Sequence, residues 1–246
     1  MIKTTSFELG IYEKGAENTE KLALVLPGFL DTKDYPHMRE LVDMLAASGF
    51  HALSFDPPGT WESSGEIALY TMSNYLQAID ELVAYFGNPP TFAVGHSRGG
   101  SMAMIAGVRN PHITVFASIM SFYSFDASSP GPHTNSAWKE TGFRESKRDI
   151  PGSPDFKQFR LPYSHYLDSL QYNVLEDLKS CTKPKLFVYG SRDTTVNPEI
   201  VQTAYEAAAS PKELHSIESD HDYRHDTESI REVNNIVTSF ANRYFV

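Results

Sequence analysis

The segment TFAVGHSRGGSMAM at 91–104 constrains this chain more than any other. An apolar run suited to a buried strand passes through Gly95-His96-Ser97-Arg98-Gly99-Gly100 into a helical pattern carrying Met102 to Val108. A strand that turns so abruptly into a helix must bring the two backbones close together. Small residues are therefore needed on either side of the turn, and the residue at its apex takes strained angles. The apex here is Ser97. Its hydroxyl is exposed by the turn and lies at a helix N-terminus, where free N–H groups and partial positive charge favour an oxyanion. G-x-S-x-G alone is a weak motif; between a strand and a helix it marks a candidate nucleophile.

The rest of the chain repeats the alternation. LALVL (22–26), HALSF (51–55), ITVFASIM (113–120), KLFVY (185–189) and ELHSI (213–217) read as further short strands, apolar enough to be covered on both faces. Between them, apolar residues fall at helical spacing: Met38, Leu41, Val42, Leu45; Leu76, Ile79, Leu82, Val83, Phe86; Ile200, Val201, Ala204, Tyr205, Ala208; and Ile230, Val233, Ile236, Val237, Phe240. Gly49 and Gly87 stand where helix C-caps belong, and Phe7, Leu9 and Ile11 alternate near the N-terminus. The predicted fold class is α/β, with a mostly parallel central sheet flanked by helices. Residues 122–172 break the rhythm, being rich in Ser, Pro, Gly and aromatics such as Trp138, Phe143, Phe156, Phe159, Tyr163 and Tyr166. So long a connection is predicted to be a lid, since disordered segments are poor in aromatics. The expected organisation is a core of 1–121 and 173–246 interrupted by a lid insertion at 122–172.

A formal charge of -10 argues against a nucleic-acid partner, which would need clustered Lys and Arg. The polar N-terminus has no apolar signal-like run, and no segment approaches membrane-spanning length, so the cytosol is the expected location and no membrane partner is expected. The single cysteine, Cys181, cannot form an internal disulfide and carries no signature of a nucleophile; it reads as a structural thiol at a helix end.

A serine hydroxyl needs a base, and the base needs a group that orients it. KPKLFVYGSRDTTVNPE (183–199) is a strand, a Gly turn, Asp193, and a Val and Pro leading into a helix. ELHSIESDHDYRHDTESI (213–230) offers His215 in the strand, His221 in the following loop and His225 close to the last helix. LVLPGFLD (24–31) and FDPPGTWESSG (55–65) complete the set. From Leu22 to Phe240 the chain resembles the α/β-hydrolase family, whose triad runs Ser, acid, His. The resemblance implies Ser97 as nucleophile, His221 as base and Asp193 as acid, with Asp126, after the ITVFASIM strand, as the alternative acid. It also implies an oxyanion hole from the backbone N–H groups of Phe29 and Arg98. Pro27 stands where the family carries a His, and the 55–65 loop has Glu62 in place of a glycine and reads as structural. The Arg98 side chain is expected to form a salt bridge or to face away, and His96 to be a packed residue of the turn. Asp220, Asp222, His225 and Asp226 lack the spacing of a metal motif, so no metal or organic cofactor is expected.

What the resemblance implies for activity is hydrolysis of carboxylic esters of a small or medium, aromatic or apolar substrate through an acyl-enzyme intermediate. The insert is similar to that of cinnamoyl and feruloyl esterases and of the serine aminopeptidase-like branch. A peptidase, a thioesterase or a carbon–carbon bond hydrolase of the same fold stays open, as does a non-catalytic binder of a small ligand. Ser97 in place of an aspartate disfavours haloalkane dehalogenase and epoxide hydrolase.

Overall fold

The computed structural model describes residues 1–15, 20–126 and 136–245. A small antiparallel pair, β1 (Ile2–Lys3) and β2 (Glu8–Leu9), precedes the edge strand β3 (Ile11–Lys14). The core then runs β4 (Leu22–Leu26), α1 (Pro36–Ala47), β5 (His51–Phe55), α2 (Met72–Tyr85), β6 (Thr91–His96), α3 (Arg98–Arg109) and β7 (Ile113–Ile119). The insertion carries α4 (Ser136–Thr141), β8 (Phe143–Asp149), β9 (Phe156–Pro162) and α5 (Ser164–Ser169). The core resumes with α6 (Leu175–Ser180), β10 (Lys185–Gly190), α7 (Pro198–Ala207), β11 (Lys212–Ile217) and α8 (Thr227–Tyr244).

Seven strands form one sheet in the order β11-β10-β7-β6-β4-β5-β3, parallel throughout except for the antiparallel β3–β5 pair. The chain lays β5 on one side of β4 and then β6 on the other. This reversal of direction leaves a crevice beyond the C-terminal ends of β4 and β6, where ligands of open α/β sheets bind. Strand side chains alternate between two cores. Leu22, Leu24 and Leu26 of β4 pack with α2 and α3 residues such as Ile79, Leu82 and Met104. Ala23 and Val25 face the other way, onto Leu41, Val42 and Leu45 of α1 and Val233, Val237 and Phe240 of α8. Strands buried on both faces explain why these runs are continuously apolar. No helix among the described residues is long and apolar enough to cross a membrane.

The predicted strands are found within a residue of their expected ends, and each stretch of helical spacing falls on a helix, with α2, α3 and α8 extending three or four residues beyond it. The insertion is more regular than its composition suggested: β8 and β9 form a seven-pair antiparallel hairpin. Its first strand, FRESKRD, has no buried residue and is mostly charged, so it carries no alternation that a sequence reading could detect. The second turns Phe159 and Leu161 inward, and these join Trp138, Leu30 and Tyr70 in a third cluster that ties the insertion to the loops after β4 and β5. Residues 127–135, which include Pro130 and Gly131 of the proposed lid, lie outside the described residues.

Two glycines separate room from conformation. A Cβ on Gly99 would be driven into the carbonyl of Leu26 on β4, so this glycine sets how closely α3 crosses the sheet. Gly49, after α1, has a φ of +89° but open space around it. Gly49→Ala should therefore cost about 1 kcal/mol, the strain of a left-handed residue, or roughly 2–4 °C in thermal unfolding. Gly99→Ala has no such outlet, because backbone would have to move on both sides. Its melting temperature should fall several times further than that of Gly49→Ala, and equal losses would mean that the crossing is not as tight as described.

Candidate active site

Ser97 stands between β6 and α3 with φ 53° and ψ -118°, a conformation that costs a non-glycine residue roughly 1–3 kcal/mol. The surroundings impose it. Ser97 N–H donates to Ile119 O of the neighbouring strand (2.9 Å), and Ser101 Oγ, one turn into α3, donates to Phe122 O (2.7 Å). The hydroxyl is thereby turned away from its own helix and makes no cap. It lies 2.9 Å from Nε2 of His221, whose Nδ1 is 2.8 Å from Oδ2 of Asp193. The buried Asp193 also accepts the N–H groups of Thr195 and Val196 on Oδ1, each at 2.8 Å. An ionised carboxylate only accepts, so Nδ1 carries the proton and Nε2 is left to accept from Ser97. His96, buried beneath, donates from Nε2 to the carbonyl of His221 (2.9 Å) and so helps hold the loop.

The alternatives fall elsewhere. Asp126 accepts from Ser124 Oγ (2.9 Å) and Asn173 Nδ2 (2.7 Å) in the bend after β7, and the partner of His221 is Asp193. His215 lies on β11 beside Glu213, and His225 is exposed in a single 3-10 turn beside Asp222. Cys181 caps the C-terminus of α6.

The loop after β4 lacks the family His, and other side chains hold it. Tyr75 OH donates to Pro27 O (3.1 Å), Leu30 N–H donates to Tyr70 OH (2.9 Å), and Trp61 Nε1 donates to Leu30 O (2.8 Å). From the hairpin, Arg148 donates to Phe29 O through Nε (3.0 Å) and Nη2 (2.7 Å). Phe29 N–H donates to no acceptor among the described residues, and Arg98 N–H, at the first position of α3, has no intrahelical acceptor. Trp61 belongs to the 55–65 loop, whose Asp56 accepts from Thr32 Oγ1 (2.7 Å), Lys33 N (3.0 Å) and Glu62 N (3.1 Å). Apart from the Glu62–Asp56 bond, these ties have no short-range sequence signal, because each joins residues at least 23 positions apart.

The expectation for the Arg98 side chain is corrected. It neither turns away nor forms an ion pair among the described residues; it lines the cavity above Ser97, between the rings of Phe29 and Phe125 (5.5 and 4.4 Å). Arg98 is the first residue of α3, and the two rings flank its guanidinium. The cavity holds about 340 Å³ and is walled by Phe122, Trp138 and Tyr166 as well.

Behind His221, the buried Asp31, His37 and His96 bring three potential ligand atoms within 4.8 Å of one another. Burial pushes His37 down to about 3, with the nearby Arg224 adding to the effect, and pushes Asp31 up to about 6 against the pull of Arg148 and Arg224. Two guanidiniums, Arg148 and Arg224, already supply positive charge beside Asp31, which opposes the binding of a further cation there. Arg224 has a further role. It grips Asp149, at the end of β8, through Nη1 (2.8 Å) and Nη2 (2.7 Å), and Asp222 through Nε (2.7 Å), joining the hairpin to the His221 loop.

Residues 24–148, half of the chain, match the family model described as alpha/beta hydrolase fold. The chain belongs to this family. Among curated α/β hydrolases it is 24% identical over 211 residues to lysophosphatidylserine lipase ABHD12 of Danio rerio, a match covering 82% of this chain. The chain spans about half, 51%, of that relative's length. Among solved α/β hydrolases it is similar to Est1E of Butyrivibrio proteoclasticus with bound ferulic acid (20% identity, TM-score 0.75, covering 98% of this chain and 96% of the other). It is also similar to a monoacylglycerol lipase of Paleococcus ferrophilus (17%, TM-score 0.77, 96% and 99%). At such identities the structural likeness speaks for the fold.

The Arg224 clamp has a pH signature. Its hydrogen bonds hold the Asp149 carboxyl at about 2 in the folded protein, below the ordinary 3.8. A depressed carboxyl stabilises the fold above the unfolded value and ceases to do so as pH falls through the folded one. Wild type should therefore unfold at a higher temperature than Asp149→Asn at pH 6, with the gap closing between about pH 4 and pH 2. A gap independent of pH would show that Asp149 acts without its charge.

Proposed function

We propose that this α/β hydrolase is a serine hydrolase of carboxylic esters that works through an acyl-enzyme intermediate. The observation that carries the reading is the relay from Ser97 Oγ to His221 Nε2 (2.9 Å) and from His221 Nδ1 to Asp193 (2.8 Å), beside two N–H groups without acceptors. His221 takes the hydroxyl proton as Ser97 attacks the ester carbonyl. Asp193 keeps the imidazole in the tautomer that can accept this proton and steadies the imidazolium. The N–H groups of Phe29 and Arg98 receive the oxyanion. His221 then gives its proton to the departing alkoxide, and water repeats the sequence on the acyl-serine. The aromatic cavity of about 340 Å³ suits a small or medium substrate with an aromatic or apolar body.

A fluorophosphonate probe followed by peptide mapping should label Ser97 in wild type and leave Ser97→Ala unlabelled. Turnover of a p-nitrophenyl ester should fall by about three orders of magnitude or more in Ser97→Ala and His221→Ala, with little change in His225→Ala. Labelling at a different residue, or Ser97→Ala activity within tenfold of wild type, would remove the proposed nucleophile.

The acid is tested separately. Asp193→Asn should lose roughly 10⁴-fold in kcat, since an amide favours the wrong imidazole tautomer, whereas Asp126→Asn should stay within a few-fold of wild type. The reverse ranking in steady-state kinetics would transfer the role to Asp126.

A further inference from the structure

The cavity beside Ser97 is apolar in its walls and positive in its charge. Among the described residues that line it, three are arginines and none is a carboxylate, in a chain whose formal charge is -10. Arg148 is accounted for: it binds Phe29 O and lies 3.2 Å from Asp31. Arg98 is not. It is 9% exposed, its Nη1 is enclosed without a hydrogen-bond partner, and its side chain forms no hydrogen bond or ion pair among the described residues. The acid that acts on it from a distance, Asp168, is engaged by Ser73 through N–H (3.1 Å) and Oγ (2.5 Å). Arg144 completes the arrangement, stacked over the same Phe29 ring at 5.9 Å and over Trp138 at 5.8 Å, again with no ion pair among the described residues.

A guanidinium has five donors and cannot shed its proton, so burying it without an anion is among the least favourable things a fold can do. Aromatic faces recover part of this loss but satisfy no N–H. Burial duly lowers the affinity of Arg98 for its own proton. Such groups persist where a ligand completes them, at the expense of stability in the empty protein.

We propose that Arg98 forms an anion subsite within the ester-binding cavity, so that the substrate carries a carboxylate or phosphate on an otherwise apolar body, with Arg144 as the outer charge. The inference rests on the serine hydrolase reading for its chemistry, since the anion is taken to ride on the ester that Ser97 cleaves. A planar guanidinium beside an apolar wall matches either oxyanion in two-point contact. The charge selects among esters, and the rings hold the body.

The test compares p-nitrophenyl esters of eight-carbon acids. One ends in a free carboxylate and is paired with its uncharged methyl ester; the other ends in a phosphate monoester and is paired with its uncharged dimethyl ester. In wild type the ratio of kcat/KM, charged over capped, should be tenfold or more in at least one pair, and the larger ratio identifies carboxylate or phosphate as the group recognised. In R98Q that ratio should fall towards one. R98Q should also unfold at a higher temperature than wild type, having lost an uncompensated buried charge. Suberate or octyl phosphate should raise the melting temperature of wild type and not of R98Q. Wild-type ratios at or below one in both pairs would overturn the anion subsite while leaving the hydrolase reading intact. Equal losses on charged and capped esters in R98Q would overturn it too, because Arg98 would then serve the reacting oxygen. If no ester is turned over and Ser97 takes no probe, the hydrolase reading fails, and the melting shifts with suberate and octyl phosphate still decide whether Arg98 binds an anion. Should R98Q not fold, the wild-type ratios and melting shifts decide the matter.

Discussion

The close crossing of α3 over β4, at the point where the backbone of Gly99 meets the carbonyl of Leu26, is the contact on which the site is built. It lies at the middle of the sheet, where Leu26 is in register with Gly95. Because the helix starts so near the sheet, Ser97 has to complete the turn in a left-handed conformation, and its hydroxyl is thrown outward past the strand ends. The same contact brings the N-terminus of α3 beside the loop that leaves β4. Phe29 and Arg98 thereby line one cavity, although 68 residues containing two α-helices and two strands lie between them. Backbone strain of a few kcal/mol at one residue is held by packing on all sides.

Charge is distributed unevenly in this protein. The chain carries a large negative excess, yet Arg98, Arg144, Arg148 and Arg224 gather around the insertion and the site. Two of them are structural. Arg148 clamps the loop after β4 through Phe29 O, and Arg224 fastens the hairpin to the His221 loop through Asp149. In both cases a planar fork of donors meets fixed acceptors, a task a lysine would perform less well. The other two have no protein acceptor among the described residues, and they face the cavity. A buried guanidinium left open towards a cavity, as that of Arg98 is, is a different kind of object from one that closes a clamp.

The loop after β4 shows how a fold can change a tie without changing what is tied. Where the family carries a histidine, this chain has Pro27, which cannot donate from its backbone. Tyr70, Tyr75 and Trp61 supply the missing links from three directions, and Leu30 takes a positive φ to meet them. The loop is thus fastened from the core and from the insertion at once, through side chains up to 119 residues away.

The sequence by itself determined the alternation of strands and helices, the strand–turn–helix around Ser97 and the segments in which an acid and a base had to lie. These are matters of short-range pattern, in which apolar spacing and close glycines act within one element and its neighbours. It could not determine that the carboxylate beside His221 is Asp193 and not Asp126, because that contact spans 28 residues and two loop paths. Nor could it show the β8–β9 hairpin, whose first strand is mostly charged and whose order comes from pairing with the second and from burial of Phe159 and Leu161 against Leu30 and Tyr70. The direction of the Arg98 side chain was decided by tertiary structure alone. Its course is set by the rings of Phe29 and Phe125, one from the loop after β4 and the other from the bend after β7, and no local pattern records that they close on the same guanidinium.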